Sequence, residues 1–288
     1  MTRKSSPRTP LPLTLGAAFT RATAFAHGTS EGRYRGPDVH HPFRGVAMRH
    51  PPTTIYERCD AFAQKMHGDK WWFSHVTAAL LMRMPLPRRL DDLARPLDVT
   101  VPKPHTPPRD AGCTGHTITD PKIQVIETAP VPVIAPADTW CQLSTVLDRE
   151  DLVAVGDYLL SGHPRDRPRL PFATLCQLHE AAARHRGRRG AKKLSWALTR
   201  VRPGVDSRPE SLLRLLLLSW GLPEPLIDDP TPVDGGRVVL HPDLKLPRWL
   251  TVFEYEGDGH RDREQWLGFA RHPHETSLVD VESRLHHP

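Results

Sequence analysis

The stretch that decides the fold reads VVLHPDLKLPRWLTVFEYEGDGH and covers residues 238–260. Residues 238–240 form a short β-branched, apolar run, and residues 250–256 have the two-residue repeat of a strand. This pattern predicts two paired strands joined by a short loop that contains proline. Asp243 would lie near the end of the first strand and Glu254 inside the second, so that both carboxylates meet at one edge of the sheet.

Two carboxylates in a partly buried place repel each other, and burial makes their charged forms costlier, so they need a cation between them. Oxygen ligands favour Mg²⁺ or Mn²⁺ over zinc. Enzymes that hydrolyse phosphodiesters commonly use such an ion. His260 follows at once, after a Gly-Asp-Gly turn, and brings an imidazole next to the acids. The alternative interpretation is an acidic hairpin tip exposed to solvent.

These residues resemble the restriction-endonuclease-like superfamily, through Pro-Asp at 242–243 and Glu-Tyr-Glu-Gly at 254–257, followed by a histidine. More narrowly they resemble actinobacterial proteins of unknown function whose C-terminal domain is similar to the very-short-patch-repair endonucleases. The resemblance implies an α/β/α domain that binds Mg²⁺ or Mn²⁺ through Asp243 and Glu254. It implies four catalytic residues in this stretch: Asp243, Glu254, Glu256 and His260. The superfamily's lysine is missing, which leaves the water-activating group unassigned.

The clearest predicted helix covers residues 207–220, where Ser207 and Glu210 make a capping box and six leucines fill the body. A helix so rich in leucine must be buried on most sides, as one covering a sheet would be. The resemblance implies that Glu210 also reaches the metal, although its capping role is complete without one. After Gln265 and Trp266 the resemblance stops, so we expect an endonuclease-like domain, residues 207–288, that lacks the usual C-terminal strand and helix.

In the N-terminal part of the chain, the sequence pattern predicts a basic disordered tail, residues 1–18. A winged-helix-like and mixed α/β region, residues 19–162, is expected to follow it. Thr20 and Ser30 can each cap a short helix, and residues 41–49 are expected to form a strand. In a DNA-binding winged helix the second helix enters the major groove, which makes Arg33 and Arg35 candidate DNA contacts. The alternative is a small helical cap whose arginines point into water.

The segment FSHVTAALLMRMPLP, residues 73–87, resembles the same actinobacterial proteins, which are similar to antitoxin-type transcriptional regulators of abortive-infection systems. His75 in this segment invites a catalytic interpretation. No nucleophile or acid is tied to it in the sequence, so a structural role at a helix N-terminus is the simpler one. Four short β-type runs between residues 97 and 133 predict a small mixed or antiparallel sheet.

A Pro/Arg-rich stretch at residues 163–171 is the best candidate for a domain boundary, and residues 163–206 predict a basic helical linker. Six basic residues occur there within ten positions with no acid among them: Arg184, Arg186, Arg188, Arg189, Lys192 and Lys193. Such a cluster can follow a phosphate backbone, with an affinity that falls as salt rises. It can equally be ordinary solvated surface.

Composition restricts the class of protein. A chain of 288 residues is long enough for two domains, and a formal charge of +6 favours an anionic partner, with nucleic acid the first candidate. The four cysteines have neither zinc-site nor disulfide-scaffold spacing, which is typical of reduced thiols in a cytoplasmic protein. No run approaches the length of a membrane span, and Pro10 and Pro12 interrupt the faint signal-peptide pattern.

We therefore expect an α/β protein of mixed α+β type, with an N-terminal winged-helix-like region and a C-terminal α/β/α restriction-endonuclease-like domain that is truncated. The first hypothesis is a metal-dependent DNA endonuclease of DNA repair or phage defence. The second is a non-catalytic DNA-binding regulator, similar to an antitoxin, that keeps a degenerate nuclease fold. The third is an interaction module with a toxin or defence-system partner. The sequence leaves open whether the chain forms a homodimer.

Overall fold

The computed structural model describes residues 9–68, 70–128, 131–166, 168–255 and 277–278. The chain forms two compact units, Met1–Arg83 with Pro87–Gln142, and Met84–Leu86 with Leu143–Pro288. Both units combine helices with sheets, which confirms the predicted mixed α/β class. The second unit begins before the Pro/Arg-rich stretch at 163–171. The helix before that stretch is part of this unit because it packs against later helices.

The first unit opens with strand β1, Ala18–Thr20, and a pair of helices, α1, Arg21–Ala26, and α2, Glu31–Tyr34. The caps are the predicted ones, since the side chain of Thr20 accepts the Thr23 N–H and the side chain of Ser30 accepts the Arg33 N–H. The single strand expected at 41–49 is instead a hairpin, because Gly45 turns the chain with φ +80°. Its strands are β2, His40–Phe43, and β3, Val46–Met48, in a sheet of order β1-β3-β2.

The main sheet of the first unit has five strands in the order β6-β5-β4-β8-β7. They are β4, Trp72–Phe73; β5, Leu97–Pro102; β6, Cys113–Ile118; β7, Val125–Thr128; and β8, Val131–Ile134. The β5/β6 and β4/β8 pairs are parallel, whereas the β4/β5 and β7/β8 pairs are antiparallel. The predicted mixed sheet is therefore present, with β4 as its additional central strand.

Three helices accompany this sheet: α3, Ile55–Ala63; α4, His75–Leu81; and α5, Pro136–Leu143. Helix α4 begins directly after β4, and its start is therefore tied to the middle of the sheet. Phe62, Phe73 and Trp140 are fully buried in this unit, which confirms the expected core role of Trp140.

Four α-helices occur in the described part of the second unit: α6, Arg149–Ser161; α7, Leu175–Arg184; α8, Ala191–Leu198; and α9, Arg208–Ser219. A buried ion pair joins α6 to α9, since Nη2 of Arg214 lies 3.1 Å from Oδ2 of Asp157, and neither side chain is exposed by more than 1%. Leu213 and Leu217 of α9 pack against Leu244, Leu246 and Phe253, so this helix covers a sheet as its leucines predict.

Six strands of the second unit fall within the residues that the structure describes: β9, Leu226–Ile227; β10, Thr231–Val233; β11, Val238–Leu240; β12, Leu244–Leu246; β13, Thr251–Phe253; and β14, Ser277–Leu278. The prediction that β11 pairs with the strand near residue 250 is wrong, because β11 forms a hairpin with β10 across the turn Asp234–Gly236. Strand β13 pairs with β12 instead, in a sheet of order β14-β13-β12-β9. Strand β14 is parallel to β13, so the sheet extends past the point where the family resemblance ends.

Candidate functional site

The edge formed by β12 and β13 brings the two principal predicted acids together. These strands are antiparallel, with Leu244 opposite Phe253, so Asp243 and Glu254 lie opposite each other one residue beyond that pair. Oδ2 of Asp243 accepts the Tyr255 N–H at 2.6 Å, which fixes the carboxylate against the end of β13. Asp243 is half-buried and Glu254 is exposed. The two residues therefore follow one another across the strand pair β12/β13, and β12 covers residues that the sequence pattern places in the loop.

A third acid, which sequence reasoning missed, lies at the same edge. Strand β9 pairs with β12 so that Ile227 is opposite Leu244, which places Asp228 beside Asp243. The N–H of Asp228 points to the carbonyl oxygen of Asp243 at 3.4 Å, and Oδ1 of Asp228 lies 3.0 Å from Nδ1 of His241. The position of Asp228 directly after an apolar pair, Leu226–Ile227, is the signal that could have revealed it.

Glu210 reaches this edge from the first turn of α9. The Ser207 side chain accepts the Glu210 N–H, as in the predicted cap, but the Glu210 carboxylate accepts the Asp206 N–H, at 2.9 Å, instead of the Ser207 N–H. Glu210 is 8% exposed. Burial, reinforced by repulsion from Asp243, raises the pKa of Glu210 to about 7 even though hydrogen bonds oppose the change. This carboxyl group therefore gains or loses its proton near neutral pH.

Three of these acids, Glu210, Asp228 and Asp243, line one cavity of about 410 Å³ within the second unit, called here the acidic cavity; Glu254 lies on the adjoining strand edge and is not in the lining. Its lining comprises Pro164, Arg169, Gly204, Asp206, Glu210, Asp228, His241 and Asp243. Arg169 pairs with Asp206 and donates to the Val205 carbonyl oxygen at 3.0 Å, so one guanidinium stands among the carboxylates. The cavity thus combines oxygen ligands with a cation and an imidazole, the side-chain types that can hold a divalent ion and a phosphate group.

The acids of the cavity are not drawn together as tightly as metal ligands are. In the described ranges, a group of three His, Cys, Asp or Glu side chains with donor atoms mutually within 4.8 Å occurs in the first unit, at His75, Asp98 and His116. Asp243 and Glu254 belong to no such group there. Glu256 and His260, the other two predicted catalytic residues, lie outside the described residues. An ion in the acidic cavity would therefore have to pull its carboxylates inward.

The two candidate DNA contacts of the N-terminal region are held by local acids. Arg33 is mostly buried and donates to Asp38 at 2.8 Å and to the Thr9 carbonyl oxygen at 2.5 Å. Arg35 is 74% exposed and pairs with Glu31 at 2.7 Å. Helix α2, which carries Arg33, is a single turn of four residues. The exposed Arg35 is thus the better placed of the two for a phosphate, and the winged-helix-like assignment stays a prediction.

The basic cluster between α7 and α8 is mostly exposed. Its four exposed members are Arg186, Arg188, Arg189 and Lys192. Lys193 differs, because it is half-buried and its ammonium donates to the carbonyl oxygen of Leu147. The turn is held in place by Gly190, which has φ +91° and lies so close to Ser144 that a Cβ would collide with it. The exposed members therefore stand on a firmly packed turn, called here the basic turn.

Comparisons with known proteins add no assignment to these observations. No protein-family model matches the chain, and a search of curated proteins finds no relative. None of the described helices has the length and apolar character needed to cross a membrane.

Proposed function

We propose that the protein is a metal-dependent DNA endonuclease whose active site is the acidic cavity together with the adjoining edge of β12 and β13. The observation that carries the proposal is the register of β12 and β13, which puts Asp243 opposite Glu254 beside Glu210 and Asp228. Carboxylate oxygens at the edge of a sheet suit a hard ion, so Asp243 and Glu254 would hold Mg²⁺ or Mn²⁺. DNA as the substrate fits the charge of +6, and a cytoplasmic location is part of this proposal.

When bound, the ion would supply Lewis-acid activation of the scissile phosphate and of the attacking water. Glu210 would accept the proton of that water, because it lines the same cavity and, without a metal ion, its pKa is raised to about 7, near the pH at which a general base works best. Arg169 would orient a phosphate oxygen from the other side of the cavity. Glu210 would thus activate the water, the role that is left unassigned because the superfamily's lysine is missing from this sequence.

The basic turn supports a nucleic-acid substrate. Its exposed cations can neutralise successive phosphates without specifying a sequence, and each such contact releases counterions. We propose that Arg188, Arg189 and Lys192 contact the DNA backbone. Lys193 serves as a matched control, since its ammonium is already bonded within the protein.

A second candidate is a non-catalytic DNA-binding regulator, similar to an antitoxin, with a degenerate nuclease fold. The observation that favours it is the spacing of the acids: one oxygen of Asp243 already accepts the Tyr255 N–H, and no close three-ligand group of described residues includes the acids of the cavity. On this alternative the basic turn binds DNA and the acidic cavity is a structural remnant.

The deciding experiment incubates supercoiled plasmid with the purified full chain and Mg²⁺ or Mn²⁺. The Asp243→Asn variant keeps an oxygen for the Tyr255 N–H but loses the charge, so we expect metal-dependent nicking to fall at least about 100-fold while DNA affinity stays equal or rises. Asp234→Asn is the matched control, because Asp234 is an exposed acid of the neighbouring turn that pairs with Arg237. Its nicking rate should equal that of the wild type.

Nicking by Asp243→Asn at the wild-type rate would remove the acidic cavity from the reaction. If neither the wild type nor any variant nicks the plasmid with Mg²⁺ or Mn²⁺, a gel shift of DNA that weakens as salt rises supports the second candidate. Replacing Arg188, Arg189 and Lys192 by Gln should then flatten the dependence of log affinity on log salt by about 0.9 for each lost phosphate contact. Lys193→Gln should leave that slope unchanged.

A further inference from the structure

Three residues of the first unit, His75, Asp98 and His116, present donor atoms that all lie within 4.8 Å of one another. We propose that this group, called here the His–Asp–His cluster, is a binding site for a divalent transition-metal ion of the zinc class. The site is separate from the acidic cavity, and it does not depend on the nuclease proposal. Two imidazoles and one carboxylate are the ligand set of many zinc and iron(II) sites.

The strand pairing explains how the cluster forms. Strands β5 and β6 are parallel with Thr100 opposite His116, and side chains two residues apart on a strand share a face. Asp98, Thr100 and His116 therefore lie on the same side of the sheet. His75 comes from the start of α4, directly after β4, which is the other neighbour of β5. Residues separated by 23 and 18 positions in the sequence thus converge through three adjacent strands.

The contact between His116 and Asp98 is close to the geometry that an ion requires, whereas the stacked rings of His75 and His116 would have to tilt for both nitrogens to point at one ion. Nε2 of His116 lies 2.8 Å from Oδ1 of Asp98, and the rings of His75 and His116 stack with centroids 3.9 Å apart. Ligands of a tetrahedral ion with bonds of about 2.1 Å lie about 3.4 Å apart. The His116 nitrogen and the Asp98 oxygen would therefore have to separate by only about half an ångström on binding.

Buried hydroxyl groups orient the ligands. Oγ of Ser74 lies 3.0 Å from Nδ1 of His75 and accepts the hydroxyl of Thr100 at 2.8 Å, and both hydroxyl residues are at most 1% exposed. The hydroxyl oxygen of Thr77 accepts the Asp98 N–H at 2.8 Å. The Ser74 bond is of the kind that orients metal-binding imidazoles, and loss of such a bond lowers metal affinity, whereas the Thr77 bond fixes the backbone of Asp98.

The charge and exposure of the cluster also fit an ion. The Asp98 side chain is only 12% exposed, and the two imidazoles, which stack on each other, each carry a nitrogen that can give a lone pair to a cation. The His116 side chain is 28% exposed, so an ion can enter from solvent and keep water as a fourth ligand.

The backbone of His75 is held in an unusual conformation. It has φ +48°, a left-handed value that is rare for a residue with a side chain, and its N–H donates to Oε1 of Gln142 at 3.0 Å. The backbone is thus held at the position from which the His75 ring stacks on His116.

The test uses the full chain, stripped with a chelator and titrated with Co²⁺, whose visible absorption bands report a four-coordinate site. We expect one Co²⁺ per chain, displaced by Zn²⁺. His116→Gln and Asp98→Asn should each weaken binding at least about tenfold, and Ser74→Ala, which removes only an orienting hydroxyl, by about 10- to 100-fold. His179→Gln is the matched control, since His179 is exposed and lies in the second unit.

Each outcome decides the proposal. Absence of Co²⁺ bands, or bands that survive in both His116→Gln and Asp98→Asn, would overturn it. The same holds if the bands disappear in Asp243→Asn/Glu254→Gln, which would place the ion in the acidic cavity. All variants are first unfolded with urea in the presence of chelator, so that only variants whose metal-free stability equals that of the wild type are compared. Ser74→Ala keeps the test decisive if Asp98→Asn fails this requirement.

Discussion

Replacing Glu210 by Gln should change how the stability of the protein depends on pH. Burial raises the pKa of Glu210 from 4.5 to about 7 in the folded state, with repulsion from Asp243 adding to the effect. Between these two values the folded protein holds a proton that the unfolded chain has released. Stability therefore falls as pH rises from about 4.5 to about 7, and the full loss is present above pH 7.

The size of this effect follows from the difference between the two pKa values. A difference of about 2.5 pKa units, at about 1.4 kcal/mol for each, corresponds to about 3 kcal/mol of unfolding free energy. Gln keeps an oxygen that can accept the Asp206 N–H but carries no charge at any pH. Relative to the wild type, Glu210→Gln should thus gain about 3 kcal/mol between pH 4 and pH 8, with no gain below pH 4.

Urea unfolding monitored by tryptophan fluorescence, at intervals from pH 4 to pH 8, measures this difference. Glu57→Gln is the control of opposite sign. The pKa of Glu57 is lowered, chiefly by the backbone N–H of Thr53, so its ionised form stabilises the fold and that stability is lost as pH falls. Parallel pH curves for Glu210→Gln and the wild type would refute the argument that Glu210 is protonated near neutrality. Millimolar Mg²⁺ should shrink the Glu210→Gln gain, because a cation beside Asp243 removes the repulsion.

The remaining predictions concern packing in the second unit. Gly190→Ala should cost about 1–3 kcal/mol more than Gly187→Ala, because a Cβ at Gly190 collides with Ser144 whereas Gly187 faces open space, and both have positive φ. Equal urea midpoints for the two variants would show that the close approach of Gly190 to Ser144 does not affect the stability of the Gly190→Ala variant. Arg214→Met should cost about 3–5 kcal/mol at neutral pH, because it leaves Asp157 buried without its cation. Burial raises the pKa of Asp157, so this carboxyl group can be neutral at pH 4 and the loss of stability should be smaller there. An equal loss at both pH values would contradict the role given to the charge of Asp157.

Local patterns predicted local structure well. The caps at Thr20 and Ser30 and the leucine-rich helix α9 depend on side chains within a few positions of each other, and the structure has all of them. The edge beside β13 has a different partner strand from the predicted one, because the Asp-Gly-Gly turn at 234–236 closes a separate hairpin of β10 and β11. Gly235 and Gly236 both have positive φ there, which is the backbone that a tight hairpin between β10 and β11 requires.

The His–Asp–His cluster could not be predicted from local patterns. Its members belong to three segments, and only the order of β4, β5 and β6 in the sheet brings them together. In the sequence His75 has no partner within reach, so a structural role was the simpler interpretation. The same limitation explains why Asp228 was missed at the acidic cavity: it becomes a neighbour of Asp243 only when β9 pairs with β12.

The two candidate metal sites differ in donor chemistry, and this difference makes them separable. The acidic cavity offers carboxylate oxygens, which suit a hard ion such as Mg²⁺, and its like charges are spread out until a cation offsets their repulsion. The His–Asp–His cluster offers nitrogen donors already held by buried hydroxyls, and imidazole favours zinc-class ions over Mg²⁺. An excess of Mg²⁺ should therefore leave bound Co²⁺ in place while it stabilises the second unit. Competition between the two ions for one site would mean that the donor sets do not discriminate as their chemistry requires.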